Sequence, residues 1–481
     1  MKVLFTHSYF LRFDPKQWDT RQPYAPYGTL TAAALMRAEG FDVSFFDVMF
    51  AQGPGDLRPV LQAQQPDVLV IYDDGFNYLT KMCLTNMRDA AYAMAAMAGQ
   101  MGIRVMISSS DSTDHCDEYL AQGTDVVLLG EAEYTVLDVL RQWASGADDL
   151  SGIAGIAFRQ AGQVIRTPRR AVIRDLDALP LPAWDLVDLQ PYQAAWQAGT
   201  GYFSINIGTT RGCPYQCNWC AKPIYGNRYN ARSPEHVVAE LLLLREKTAY
   251  DHVWFCDDIF GLKPGWVKKF AALTQEHGLQ LRFKIQSRAD LLLEDAQIEP
   301  LAAAGCETVW MGAESGSQRI LDAMDKGTTT DQIARATLQL KKHGIRAAFF
   351  LQFGYPGETM DDIELTLDMV RKLMPDDIGI SVSYPLPGTR FYETVKEQLG
   401  QKANWTDSDE LALMFRNTYP PAFYKQLHRY VHAMYRIRRA RYQQQQDASV
   451  FSLAHFNRMV RIPYYAWQEQ QERRKLKQIP V

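Results

Sequence analysis

Short apolar runs alternate with amphipathic or alanine-rich stretches along the first 145 residues of the chain. The stretches, such as Tyr27–Glu39 and Met82–Gly99, have the length and composition of helices. The runs are rich in β-branched and aromatic residues, as buried strands are. The pattern predicts an α/β domain, a doubly wound (Rossmann-like) fold with helices on both faces of a parallel sheet. The predicted strands are Lys2–Thr6, Asp42–Asp47, Asp67–Tyr72, Arg104–Ser108 and Asp125–Gly130.

A second alternating series begins at Tyr202, with helical stretches at Pro234–Arg245, Gln318–Met324 and Thr330–His343. It contains six strand-like runs within about 200 residues, whereas a closed eight-stranded barrel needs about 250. Residues 196–400 are therefore predicted to form a partial (β/α)6 barrel of the TIM type. Its predicted strands are Phe203–Ile207, His252–Cys256, Arg282–Gln286, Thr308–Gly312, Ala347–Phe353 and Asp377–Ser383.

Two further segments complete the predicted organisation, which begins with a domain at residues 1–145. Residues 146–195 are expected to connect the two α/β domains and to contain a hairpin that turns at Ala161-Gly162. Residues 401–481 are expected to be a helical, basic C-terminal extension. From Pro421 onward this segment has twelve Lys and Arg against three Asp and Glu. A solvated helix explains that charge, and docking on an anionic membrane or an acidic partner is the alternative.

Length and composition narrow the class of protein. A chain of 481 residues is expected to fold as roughly three domains. With 47% hydrophobic and 22% charged residues and a formal net charge of −4, it has the composition of an ordinary globular protein. The chain shows no secretory signal and no apolar run of about 18 residues, so a cytoplasmic protein without a transmembrane segment is expected. Its seven cysteines, an odd number, argue against a disulfide framework.

Three of the cysteines lie close together in the sequence TTRGCPYQCNWCAKP, at positions Cys213, Cys217 and Cys220. Three thiolates within eight residues can bind three irons of a [4Fe-4S] cluster and leave the fourth iron open. The open iron can chelate S-adenosylmethionine (SAM), which an electron then splits into methionine and a 5′-deoxyadenosyl radical. Two alternatives are a structural zinc site, which would need a fourth ligand, and a redox pair formed by Cys217 and Cys220 alone.

The motifs around this loop resemble those of the radical SAM superfamily over residues 196–400. The resemblance rests on RGCPYQCNWCAKPIYG, VWFCDDIF, SRADLL, VWMGAESGSQRILDAMDKGTT, FFLQFGYPGET and ISVSYPLPGTRFYE. With PYGTLTAAALMRAEGFDVSFFD, DVVLLGEAEYTVLDVL and PAWDLVDL, the whole chain resembles the cobalamin-binding branch of that superfamily. This branch includes the anaerobic magnesium-protoporphyrin monomethyl ester cyclase and many carbon methyltransferases.

The resemblance implies a SAM site built from the ends of the barrel strands. Asp258 is the candidate for the SAM amino group, although an aspartate there could instead cap the next helix. Arg288 suits a carboxylate and Glu314 suits ribose hydroxyls, although Arg288 could instead be a structural ion-pair partner. The residues implied to bind SAM are Asp257, Asp258, Gln286, Ser287, Arg288, Glu314, Ser315 and Gly354. No residue is assigned a catalytic role.

The resemblance also implies that the first domain binds cobalamin, as a cobalamin-binding-like domain. The chain lacks the D-x-H-x-x-G motif of mutase-type domains, and His115 does not fit its spacing. Many members of the branch lack that histidine too, and a vestigial domain serving as a lid is the alternative. His7 could be a site residue or a framework histidine. The residues implied to bind cobalamin are Ser8, Tyr9, Asp73, Ser108, Ser109, Gly130 and Glu131.

The expected function is radical chemistry on an unactivated carbon of a small molecule, by methyl transfer or by oxidative cyclisation. The cofactors would be a [4Fe-4S] cluster, S-adenosyl-L-methionine and cobalamin, and an electron donor such as flavodoxin or ferredoxin is implied. No nucleic-acid-binding module is visible in the sequence. The alternative from a different class is a non-catalytic protein with a structural metal site.

Overall fold

The computed structural model describes residues 1–82, 84–220, 222, 224–294, 297–400, 404–408, 410–446 and 453–480. Cys83 and parts of the predicted C-terminal extension lie outside these ranges. The chain forms two compact units. Unit 1 comprises Met1–Pro214, Ala221–Phe283 and Asn404–Glu410, and unit 2 comprises Tyr215–Cys220, Lys284–Ala403 and Leu411–Val481. The domain limits expected from the sequence stay a prediction, because the units follow packing rather than chain order.

Unit 1 begins with the predicted α/β sheet. The strands are β1 (Lys2–Thr6), β2 (Asp42–Phe45), β3 (Val68–Tyr72), β4 (Arg104–Ser108), β5 (Val126–Leu128), β6 (Ile156–Gln160) and β7 (Gln163–Arg166). The helices are α1 (Pro15–Thr20), α2 (Tyr27–Ala38), α3 (Leu57–Gln64), α4 (Tyr78–Lys81), α5 (Thr85–Gln100), α6 (Ser110–Asp114), α7 (Cys116–Ala121) and α8 (Glu133–Ala144). All five predicted strands are present, so the doubly wound fold is confirmed. The predicted helix Met82–Gly99 begins only at Thr85, because Leu84 is extended with ψ of 134°.

The strand order of this sheet is β2-β1-β3-β4-β5-β6-β7. The first five strands are parallel, and apolar side chains on both faces of the sheet form two buried clusters. The hairpin turns at Ala161 and Gly162, which both have positive φ, as its sequence indicates. The structure adds that the hairpin pairs antiparallel with β5, in the register Val127 opposite Ala157. The predicted connector therefore extends the sheet to seven strands.

The second series of strands begins in unit 1 and continues in unit 2. Its first elements are α9 (Gln190–Thr200), β8 (Ser204–Ile207), β9 (Thr210–Arg211), β10 (Asn230–Ala231), α10 (Pro234–Lys247), β11 (His252–Phe255) and α11 (Trp266–Glu276). It continues with β12 (Phe283–Ser287), α12 (Ala289–Leu292), α13 (Ile298–Ala303), β13 (Cys306–Glu314), α14 (Gln318–Ala323) and α15 (Thr330–Lys342). It ends with β14 (Arg346–Phe353), α16 (Met360–Leu373), β15 (Asp377–Val382) and α17 (Arg390–Val395).

Six of these strands form one sheet in the order β8-β11-β12-β13-β14-β15. The pairings β8/β11, β13/β14 and β14/β15 are parallel. The order follows the chain, as in a barrel that is open on one side, and the predicted partial (β/α)6 barrel is confirmed. The division between the two units falls within β12.

A buried carboxylate anchors the elements of unit 1 that surround the start of the barrel. Glu240 on α10 is fully buried and accepts hydrogen bonds from the Tyr27 hydroxyl (3.0 Å) and the Trp184 indole (2.9 Å). Arg232 donates to the same carboxylate at 2.5 Å. Tyr27 belongs to the PYG motif and Trp184 to the PAW motif, so both motifs serve to attach α2 and the connector to α10.

Unit 2 ends in two long helices, α18 (Pro421–Gln446) and α19 (Leu453–Gln478), which pack against each other. The prediction of a helical C-terminal region is confirmed. One face of α18 is buried, with Phe423, Tyr424, Leu427, Val431 and Tyr435 each less than 9% exposed. No helix in the described part of the chain is both long enough and apolar enough to cross a membrane.

Candidate active site at the strand ends

The carboxyl ends of β1 and β3 meet where the strand order of the first sheet reverses. Ser8 follows β1, and its N–H and its hydroxyl donate to the two oxygens of Asp73 after β3, at 2.7 and 2.9 Å. Burial raises the pKa of Asp73 to about 6. In a sheet of order 2-1-3-4-5 the ligand crevice opens at this β1/β3 position. Two of the residues implied to bind cobalamin therefore lie at the point that the topology favours.

The other residues implied to bind cobalamin follow the same edge. The Ser108 carbonyl accepts the Asp73 N–H at 2.8 Å, and Tyr9 is buried beside β1. The hydroxyl of Ser109 is engaged locally, because it caps α6 by accepting the Ser112 N–H at 2.8 Å. Gly130 after β5 has φ of +82°, which favours glycine.

His7 has the contacts of a framework residue. Its Nε2 lies 2.9 Å from Asp47 Oδ1, and the Tyr192 hydroxyl donates to the other oxygen of Asp47 at 2.7 Å. The sequence did not indicate a second polar cluster on this edge, in which Arg88 pairs with Asp111 and the Tyr119 hydroxyl donates to the same carboxylate at 2.7 Å.

An arginine next to the first loop cysteine is held by two glutamates of the first domain. Arg211 donates to Glu131 at 2.6 Å and to Glu133 at 2.7 Å, and all three side chains are less than 5% exposed. The guanidinium also lies over the rings of Phe76 and Tyr225. The Gly130–Glu133 turn thereby fixes the backbone that leads into Cys213. The sequence alone indicates no role for Arg211 or Glu133.

The two aspartates after β11 differ in their surroundings. Asp257 is buried and accepts the N–H groups of Thr209 (2.6 Å) and Thr210 (2.8 Å), so it fastens the end of β8 to the end of β11. Burial raises the pKa of this carboxyl to about 7. Asp258 is more exposed and pairs with Lys81 at 2.7 Å. Of the two, Asp258 is the more accessible to a ligand.

In unit 2 the middle cysteine of the loop lies beside cationic groups. Nη1 of Arg288 is 3.8 Å from Cys217 Sγ, and its guanidinium lies 3.7 Å from the centre of the Tyr215 ring. Arg288 also makes a bidentate ion pair with Asp290 and donates to the Lys326 carbonyl at 2.8 Å. The structural role considered for Arg288 is thus present, together with a position next to the cysteine loop. Gln286 and Ser287 precede it at the end of β12.

Glu314 and Lys326 form a buried ion pair at the end of β13. Lys326 Nζ lies 2.8 Å from Glu314 Oε1, and both side chains are less than 8% exposed. A Cβ on Gly312 would lie 2.6 Å from Lys326 Nζ and 2.7 Å from Glu314 Oε1, so a side chain there would displace the ends of this pair. Ser315 is also buried and exchanges a hydrogen bond with Thr366 at 3.1 Å. Lys326 lies in the DKGTT segment, but the sequence analysis gave it no role.

The turn after β14 is held by a buried glutamate. Gly354, with φ of +76°, donates its N–H to Glu358 Oε2 at 2.7 Å, and its carbonyl accepts from Asn417 Nδ2 at 2.5 Å. A Cβ on Gly354 would lie 3.2 Å from the Tyr424 ring. Glu358 is fully buried, its Oε1 has no hydrogen-bond partner among the residues that the structure describes, and burial raises the pKa of this carboxyl to about 8.

The raised pKa of Glu358 predicts a pH dependence of stability. Because the carboxyl titrates at about 8 when folded and near 4.5 when unfolded, the folded protein holds a proton that the unfolded chain has released. Stability should therefore fall as pH rises through this interval, by up to about 1.4 kcal/mol per pH unit from this group. The Glu358→Gln variant should lose this component when thermal unfolding is measured between pH 5 and 9. Glu469→Gln, on the surface of α19, is the control, and an unchanged profile in Glu358→Gln would contradict the prediction.

The three loop cysteines are half-buried. Among the described residues no three His, Cys, Asp or Glu side chains converge as a single metal ion requires. Three soft thiol ligands within eight residues of one loop suit a multi-iron cluster, in which each sulfur binds a different iron. The Arg288 guanidinium places a positive charge beside Cys217 in this loop. The residues present thus fit an iron–sulfur cluster.

The class of protein follows from the fold together with a match to a known family. Residues 207–370 match the family model of the Radical SAM superfamily. The chain therefore contains a radical SAM domain, and it is an enzyme whose cofactors include SAM and a [4Fe-4S] cluster.

More specific likenesses come from individual proteins. An uncharacterized methyltransferase of Pyrococcus horikoshii is 27% identical over 387 residues, which cover 79% of this chain and 80% of that protein. The anaerobic magnesium-protoporphyrin IX monomethyl ester cyclase of Rubrivivax gelatinosus is 27% identical over 60% of this chain, which spans about half (51%) of the cyclase. The solved structure of OxsB, a cobalamin-dependent SAM radical enzyme with aqua-cobalamin and SAM bound, has a TM-score of 0.74 at 14% identity, covering 98% of this chain and 72% of OxsB. At that identity the likeness to OxsB shows a shared fold.

Proposed function

We propose that this radical SAM enzyme uses cobalamin and transfers a methyl group to an unactivated carbon of a small molecule. The observation that carries the proposal is the joining of a doubly wound sheet, open at its β1/β3 switch point, to a radical SAM barrel in one chain. We prefer methyl transfer to cyclisation because of the extent of the two matches. The match with the methyltransferase relative covers 79% of this chain and 80% of that protein, whereas the match with the cyclase covers 60% of this chain and 51% of the cyclase.

Cys213, Cys217 and Cys220 are the proposed ligands of the cluster. When bound, the cluster supplies the electron that splits SAM, and cobalamin supplies a carrier for the methyl group. Arg211 and its two glutamates hold the backbone before Cys213, and Arg288 lies beside Cys217. The chain's contribution to the chemistry is then to position the loop and to supply cations next to its thiolates.

The proposed SAM contacts come from residues that already have partners. Asp258 would receive the SAM amino group in place of Lys81, which now pairs with it. Glu314 would accept from ribose hydroxyls, and its ion pair with Lys326 would hold the carboxylate in place. Two nitrogens of Arg288 donate to Asp290, and the third, Nη1, lies near Cys217. Nη1 is therefore the proposed donor to the SAM carboxylate, next to the cysteine loop.

Cobalamin is proposed to lie at the carboxyl edge of the first sheet, next to Ser8 and Asp73. Both groups are hydrogen-bonded at the switch point, and small residues stand at the end of β4 (Ser108) and directly after it (Ser109), where a bulky tail could pass. A vestigial first domain is the alternative. Stoichiometric uptake of hydroxocobalamin, measured by absorbance after gel filtration, supports the proposal, and uptake that equals that of an unrelated protein of similar size would refute it.

The reaction itself is tested by analysing the products formed from SAM. The protein is reconstituted anaerobically with iron, sulfide and hydroxocobalamin, and is then given SAM with dithionite or with reduced flavodoxin as the proposed electron donor. We expect about four irons per chain, as one [4Fe-4S] cluster requires, with 5′-deoxyadenosine and S-adenosylhomocysteine as products. Deoxyadenosine without S-adenosylhomocysteine would favour cyclisation, and neither product from a four-iron protein would refute radical chemistry. Bound zinc in place of iron would support a structural metal site.

A further inference from the structure

Helix α19 carries a group of large apolar side chains that are open to solvent. The exposed fractions are 48% for Met459, 62% for Val460, 54% for Tyr464 and 56% for Trp467. Pro463, inside the same helix, is exposed as well. These five residues are called the α19 apolar face. Single exposed apolar residues are ordinary on protein surfaces, but a contiguous group of this size marks an interaction site.

The members of the α19 apolar face lie on one side of the helix. At 3.6 residues per turn, their five positions fall within an arc of about 140°. The rings of Tyr464 and Trp467 are stacked, with their centres 6.1 Å apart. The opposite side faces α18, where Leu476 is buried and Gln426 donates to the Glu472 carbonyl and carboxylate at 3.0 and 2.7 Å. The apolar face is therefore the side of α19 turned away from α18.

The charge of α18 and α19 indicates what kind of partner the α19 apolar face binds. Helix α18 has six basic side chains and no acidic one, and α19 has six basic and two acidic ones. Arg473, Arg474 and Lys477 are exposed and follow the apolar face along α19. On the helical wheel they extend the same side of the helix. A second copy of this face would bring like charges together, so self-association is disfavoured.

We propose that the α19 apolar face docks on the surface of a bilayer that contains anionic lipids. Tryptophan and tyrosine side chains favour the boundary between acyl chains and headgroups, where their rings are apolar and their polar atoms stay hydrated. Valine and methionine enter the acyl boundary from the same side, and the arginines and lysines at the end of the helix bind lipid phosphates. The helix lies along the surface rather than across it, because its other side packs on α18.

The proposal is tested with the full-length protein and extruded vesicles. Phosphatidylcholine vesicles with and without 30% phosphatidylglycerol are sedimented with the protein in 0.1 M NaCl. We expect binding to the anionic vesicles and at least tenfold weaker binding to the neutral ones. Tyr464→Ser/Trp467→Ser and, separately, Arg473→Gln/Arg474→Gln/Lys477→Gln should each weaken binding at least tenfold. Trp18→Ser, which removes a tryptophan that is 38% exposed on α1, should bind like the wild type.

A second measurement uses the wild type and one conservative variant, Trp467→Phe. Lipids with a nitroxide-labelled acyl chain should quench part of the tryptophan fluorescence of the wild type, and Trp467→Phe should remove that part. Vesicle binding that survives Tyr464→Ser/Trp467→Ser would overturn the proposal, because binding would then be electrostatic adsorption alone. Absence of binding to anionic vesicles would overturn it too. A wild-type dimer, seen by light scattering, that Trp467→Ser dissociates would identify the face as a self-interface instead.

Discussion

Replacing Cys213, Cys217 and Cys220 together by alanine is expected to remove bound iron and to abolish SAM cleavage. The reason is that the three thiolates are the proposed protein ligands of the cluster, whereas the loop itself is also held by contacts that do not involve sulfur. Asn218 in the loop donates its N–H to the Met324 carbonyl at 3.0 Å and accepts from the Tyr355 hydroxyl at 3.0 Å. The variant should therefore remain folded.

The measurements are iron and sulfide content after anaerobic reconstitution, the absorbance near 400 nm, and 5′-deoxyadenosine formed with dithionite and SAM. Iron should fall from about four per chain to background, and deoxyadenosine by at least a thousandfold. Cys306→Ala is the matched control, since Cys306 is a buried cysteine at the start of β13, away from the loop. Retention of four irons in the triple variant would show that the cluster ligands lie elsewhere.

Arg211→Leu is expected to lower the stability of unit 1 by about 3–5 kcal/mol, because it leaves two buried carboxylates without their cation. Glu131 and Glu133 are 3% and 1% exposed, so water cannot replace the guanidinium. The loss should appear as a lower midpoint of urea unfolding, followed by circular dichroism. Cluster uptake should fall as well, because Arg211 lies two residues before Cys213.

Two controls test whether the loss of stability comes from the unpaired buried carboxylates. Arg37→Leu breaks an ion pair between two exposed side chains, Arg37 (43% exposed) and Asp185 (46% exposed). This variant should lose less than about 1 kcal/mol of folding stability. Adding Glu131→Gln and Glu133→Gln to Arg211→Leu should recover part of the stability, because the buried negative charges are removed. A single Arg211→Leu variant as stable as Arg37→Leu would refute the role given to the buried pair.

The predicted strands are close to those observed because their signal is local. Lys2–Thr6 and Arg104–Ser108 coincide with β1 and β4, since a short β-branched run bounded by polar residues is itself the pattern of a buried strand. The hairpin after residue 155 was predicted on the same basis. Its pairing with β5 was not, because that pairing joins Val126 to Phe158 across 32 residues and depends on which sheet edge is open.

The residues of the candidate site were only partly visible in the sequence. The cysteine spacing is a local pattern, so it predicts a cluster-binding loop without any structure. Arg211 and Lys326 went unassigned because their roles depend on distant partners: Glu131 is 80 residues from Arg211, and Glu314 is 12 residues from Lys326. Asp257 shows the same limit, since its contacts with Thr209 and Thr210 arise only when β8 and β11 are neighbours.

The order of the elements, the two α/β folds, the cysteine loop and the basic character of the C-terminal helices can all be predicted from the amino-acid sequence. Hydrophobic periodicity, turn residues and the spacing of ligands along the chain are local quantities, so they can be inferred without coordinates. The tertiary structure decided which charged groups are buried and with whom they pair, and which side of α19 is open to solvent. Burial and pairing depend on residues that meet only after folding, which is why those features required the structure.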